Sequence, residues 1–109
     1  MNITKDIKKI KIDGKELSFF KVRISNWRDG VITGISVRTE EKIMKYYMNL
    51  WKQTVVDIEV FFEIGLFLKG FAHIISIKDS LEGQYEYHFY EKTGEGMRLK
   101  RSTQTKKFY

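Results

Sequence analysis

The sequence predicts a β-rich α+β fold: an antiparallel β-β-β-α-β-β-β sandwich or partly open barrel with one covering helix. Three observations carry this. Apolar residues alternate with polar ones over most of the chain, Asp-Gly pairs punctuate the first third, and only one stretch has helical spacing. Ile10 and Ile12 alternate with Lys9 and Lys11, Asp13-Gly14 follows, and then come Leu17 and Phe19. Asp-Gly between alternating runs marks a two-residue hairpin turn, because both turn positions need positive φ. The phase slips at Phe19-Phe20, so that Phe20, Val22 and Ile24 share the other face; a bulge there or a strand covered on both sides accounts for it. After a second Asp-Gly at 29–30, Val31, Thr33, Ile35 and Val37 share a face. Gly34 within that run marks a bend or a close backbone approach. Residues 7–38 thus read as a three-stranded meander, with Trp27 in the second link folding back over a sheet edge.

The helix is predicted over about 40–53. Thr39 is suited to cap its first turn, and Glu40 and Glu41 sit where the helix dipole favours negative charge. Ile43, Tyr46, Tyr47 and Leu50 follow the i, i+3, i+4, i+7 pattern, and Met44, Met48 and Trp51 widen the stripe. That stripe is core packing or a binding groove. Beyond it, Val56, Ile58, Val60, Phe62 and Ile64 alternate with Asp57, Glu59, Phe61 and Glu63, as in a strand with one solvated face. Leu66 to Ile77 is apolar on both faces, which fits a central or interface strand. Tyr85, Tyr87 and Phe89 then face one way and Glu86, His88 and Tyr90 the other.

A length of 109 residues fits one domain, and 42% hydrophobic residues is too apolar for a disordered chain. The absence of cysteine excludes disulfides and thiolate chemistry. Charged residues interrupt the apolar stretch from Val55 to Ile77, and Met1 to Lys11 lacks the apolar centre of a signal peptide; both point to a cytoplasmic product. The net charge of +6 is uneven: Arg98, Lys100, Arg101, Lys106 and Lys107 lie in residues 97–109, which contain no acid. Removing these five from the 20 cations leaves 15 against 14 acids. A domain over 1–96 followed by a basic, flexible tail over 97–109 is the organisation this implies. The tail is either a solubilising end or a polyanion-binding segment acting through those five cations.

No catalytic, cofactor or metal motif stands out. His73 and His88 can face one another across a hairpin, near Glu86 or Glu91, but a catalytic zinc needs three protein ligands and no third is identified. Asp57, Glu59 and Glu63 fit a cation site or simply a solvated strand face. Thr93-Gly94-Glu95-Gly96 lacks phosphate-loop spacing. The aromatic residues Phe67, Phe71, Tyr85, Tyr87 and Tyr90 are the candidates for partner binding or self-association, since contiguous apolar patches are uncommon on monomer surfaces.

The runs Gly70-Phe71-Ala72-His73-Ile74, Lys78-Asp79 and Gly83-Gln84-Tyr85-Glu86-Tyr87-His88-Phe89 resemble β-hairpins of small bacteriophage tail and accessory proteins. Ile10 to Leu17 resembles the first hairpin of such proteins. The Lys- and Ile-rich, Pro-free composition is compatible with a phage of a low-GC host. The resemblance implies a non-enzymatic, cytoplasmic or virion-associated role in assembly or host interaction, and no catalytic residues. The alternative is a small accessory nucleic-acid-binding protein that uses the basic segment.

Overall fold

The computed structural model describes residues 1–28, 31–48, 54–80, 83–91 and 97–101. They form strands β1 (Ile7–Ile12), β2 (Lys15–Leu17), β3 (Lys21–Arg28), β4 (Val31–Thr39), β5 (Thr54–Phe62), β6 (Leu66–Ser80), β7 (Gln84–Glu91) and β8 (Arg98–Arg101). A short helix, α1 (Met44–Met48), lies between β4 and β5. All strands join one antiparallel sheet in the order β2-β1-β5-β6-β7-β4-β3, with β8 paired to β6. This is the β-rich α+β class that the alternation predicts.

The sheet curls around one core. Ile10, Val22, Ile35, Val37, Ile58, Val60, Tyr87 and Phe89 are fully buried in it. Residues 1–3 draw β3 towards β1: the Ile3 N–H donates to the Val22 carbonyl at 2.9 Å, and the Ile24 N–H to the Met1 carbonyl at 2.8 Å. The architecture is thus the partly open barrel, with the N-terminal residues seamed along the edge of β3.

Asp13-Gly14 forms the expected turn, with φ of 52° and 82°. Asp13 also ties the hairpin to the sheet, because its Oδ1 accepts from the Asp57 N–H at 2.9 Å and its Oδ2 meets Lys45 Nζ at 3.1 Å. The second Asp-Gly lies outside the described residues.

Four features differ from the expected order. The phase slip at Phe19-Phe20 is a strand break, not a bulge: β2 pairs only with β1, whereas β3 pairs with β4 on the far side of the sheet. No three-stranded meander forms, and the Phe20 N–H donates to the Arg38 carbonyl at 2.7 Å. Trp27 lies within β3 opposite Ile32 and is 54% exposed, so it does not cover an edge. Thr39 is the buried end of β4, and its Oγ1 accepts from the Glu41 N–H in a turn that precedes the helix. In α1, Tyr46 and Tyr47 pack towards the core beside Ile43, while Met44 and Met48 are exposed. At 3.6 residues per turn those methionines fall on the opposite side of the helix. Leu50 and Trp51 lie outside the described residues.

Strand pairing also continues past residue 96. Met97 is buried and bridges Ile32, and β8 pairs Leu66–Lys69 with Arg98–Arg101. Part of the segment expected to be a flexible tail is therefore a strand. A long glycine-side contact explains the anchorage: Met97 packs over Gly70, where a Cβ would lie 2.8 Å from its Cγ.

Candidate binding face

Alternation along paired strands divides the side chains cleanly. On β7, Tyr87 and Phe89 point into the core, and Glu86, His88 and Tyr90 point out. The five aromatic candidates are split by this parity. Tyr87 is fully buried and Tyr85 packs against the core, so neither offers itself to a partner. Phe67, Phe71 and Tyr90 lie on the outer face. Tyr87 instead has a structural task. Its hydroxyl accepts from the Ile43 N–H at 3.1 Å and donates to the Glu41 carbonyl at 3.4 Å, fixing the approach to α1. Burial pushes the pKa of that phenol upward.

The outer face has an apolar centre on β6. Phe71 is 55% exposed and Ile75 is 48% exposed. Val55 and His73 are paired between them, with Tyr90 opposite His73 on β7. Towards β1, Phe67 stacks on Phe61 at 5.7 Å, and Lys9 Nζ sits 5.0 Å over the Phe61 ring. Lys69 meets Glu59 at 3.4 Å and Asp57 at 4.0 Å. Asp57 and Glu59 are therefore a strand face balanced by lysine rather than a cation site, and Glu63 lies beyond the end of β5.

Towards β3, the face is polar and basic. Ser25 Oγ and His88 Nε2 are hydrogen-bonded although β4 runs between their strands. Gly34 makes the crossing possible. A Cβ there would lie 3.0 Å from Ser25 Oγ, 3.1 Å from Asn26 Cβ and 3.4 Å from the Tyr90 ring. The close approach suggested by a glycine within the strand is this one. Tyr90 stacks on the His88 ring at 4.3 Å. Beside them, Lys21, Arg23, Ser36, Arg38 and Glu86 line a shallow depression, in which Arg38 pairs with Glu86 at 3.0 Å. None of Ser25, Lys21, Arg23 or Arg38 stands out in the sequence; the only signal is the alternation Lys21-x-Arg23-x-Ser25 on the polar face of β3.

His73 and His88 share the outer face but sit in different rows, opposite Tyr90 and Ile75 respectively. Glu91 pairs with Ala72 and has the opposite parity. Among the described residues no three His, Cys, Asp or Glu side chains gather to hold a metal. Burial lowers the His88 pKa from its ordinary 6.5, against the opposing pull of Glu86. The folded chain then binds a proton at His88 less readily than the unfolded chain does. This contribution to stability is complete above pH 6.5 and is lost as pH falls from there through the folded value. The urea midpoint should therefore fall more between pH 7.5 and 5.5 for the native chain than for His88→Gln; equal falls would contradict it.

Of the basic segment, Arg98, Lys100 and Arg101 have their backbones in β8, and Lys106 and Lys107 lie outside the described residues. No described helix is long and apolar enough to cross a membrane. The chain matches no protein-family model, no curated protein and no solved structure.

Proposed function

We propose that the chain is a non-enzymatic protein-interaction module that docks an acidic protein surface with an apolar centre onto the outer face of β6. The observation that carries this reading is the exposure of Phe71 and Ile75, four residues apart on one face of the central strand of the sheet. Large exposed apolar side chains on one sheet face, rimmed by charge, are typical of docking sites. The charge of the partner follows from the rim. Lys9, Lys11, Lys21, Arg23, Arg38 and Lys69 share the face with Glu16, Asp57, Glu59 and Glu86, an excess of two cations. The likeness of the hairpins to those of phage tail and accessory proteins supports a role in phage assembly or host interaction.

A photo-reactive residue placed at position 71 or 75 tests the reading in phage-infected cells, with position 64 as control. Ile64 is 80% exposed but lies in the turn after β5. Positions 71 and 75 should cross-link to the same acidic protein, and position 64 should not. Cross-links that nuclease removes would favour the nucleic-acid reading instead, and equal labelling from all three positions would remove the docking face.

A further inference from the structure

We propose that the depression on β3, β4 and β7 is a binding site for a phosphate group, with a dianionic phosphomonoester or inorganic phosphate as its ligand. Antiparallel pairing sets Lys21 directly opposite Arg38, and Arg23 opposite Ser36. Both pairs lie on the outer face and line the same depression with Glu86. Like charges directly opposite on neighbouring strands destabilise the pairing. Only Arg38 has its charge met, by the 3.0 Å contact with Glu86. Among the described residues Lys21 and Arg23 form no ion pair.

Three cations and one carboxylate leave two positive charges in excess at this spot. That matches a phosphomonoester, which carries about −1.5 to −2 at neutral pH, better than the single negative charge of a phosphodiester. The donors also fit. Arg23 presents a planar fork suited to two phosphate oxygens, and Lys21 a mobile ammonium. Ser36 is 6% exposed and forms the floor between them. Glu86 is the one group that repels an anion, and its bond to Arg38 holds that charge beside a guanidinium. Local like-charge frustration on an otherwise self-consistent sheet is expected where a ligand completes the charge balance. The site shares Lys21, Arg23 and Arg38 with the rim of the docking face, but it rests on their own pairing and does not require Phe71 or Ile75.

Titration of inorganic phosphate into the full chain, against chloride at equal ionic strength, tests it by amide chemical shifts. Amides at 21–23 and 36–38 should shift saturably with phosphate. Lys21→Gln and Arg23→Gln should each weaken binding by about tenfold, the loss of one charge-assisted hydrogen bond. Dimethyl phosphate should bind more weakly than inorganic phosphate, and a short oligonucleotide should bind better with a 5′-phosphate than with a 5′-hydroxyl. A second readout is thermal stability with and without phosphate. Arg23→Gln should raise the melting temperature slightly in dilute chloride and lower it, relative to the native chain, in phosphate. Shifts equal to those in chloride, affinity unchanged in both variants, or equal binding of the two oligonucleotides would each overturn the site.

Discussion

Replacing Tyr87 with alanine is expected to cost about 3–5 kcal/mol, the range for truncating a large buried aromatic. Two separate losses add up in this variant. The ring is fully buried and contacts Tyr46 edge-on at 6.2 Å, Tyr85 in a stacked arrangement at 6.1 Å and Phe89 at 6.5 Å, so its removal opens a cavity at the centre of the core. The hydroxyl also supports the chain before α1, through Ile43 and Glu41. Tyr87→Phe separates the two losses. It keeps the ring and removes the hydroxyl, and should cost only about 1 kcal/mol while exposing the amide of Ile43 to hydrogen exchange. Urea unfolding of both variants, with exchange at residue 43, checks the split. Equal costs for Phe and Ala would mean that the hydroxyl, not the ring, holds this part of the fold.

Gly70→Val should be the second severe change, at about 1–3 kcal/mol as expected for overpacking. The new Cβ would lie 2.8 Å from Met97 Cγ and 3.5 Å from its Cα and Cβ. Met97 is 2% exposed, and the segment around it bridges β4 and continues into β8, so it has little room to yield. The variant should lose exchange protection at the amides of Arg98–Arg101 before the rest of the sheet opens. Met97→Ala in the Gly70→Val background should recover part of the loss, since the two side chains then no longer compete for one volume. Unchanged protection of β8 in Gly70→Val would show that Met97 does not anchor it.

Local signals made much of the fold legible. Asp13-Gly14 specifies its turn by backbone conformation alone, and the alternation in β5 and β7 states which side chains point inward. The strand break after Leu17 was not legible. A phase slip at Phe19-Phe20 is compatible with a bulge, and only the pairing of β3 with β4 shows that the chain leaves β2 there. β8 was hidden by composition. Arg98, Lys100 and Arg101 have the character of a solvated tail, and what anchors the segment is the fit of Met97 on Gly70, 27 positions earlier in the chain. The binding face was half legible for the same reason. Parity separates Tyr90 from Tyr87, but β6 is apolar on both faces, so its sequence does not show that Phe71 lies outward. The meeting of Ser25 with His88 depends on three strands and on the missing side chain of Gly34, and no short window of sequence contains all of them.

The claim at the centre of this account is that the outer face of β6, not the residues beyond β8 with Lys106 and Lys107, carries binding. Affinity for the protein cross-linked from position 71 tests it, measured for Phe71→Asp and for a chain ending at residue 101, which keeps Met97 and β8. Phe71→Asp should weaken binding by about thirtyfold or more, as loss of an interface anchor worth at least 2 kcal/mol requires, and the shortened chain should bind like the full one. Loss of binding on shortening, with Phe71→Asp unaffected, would contradict the account.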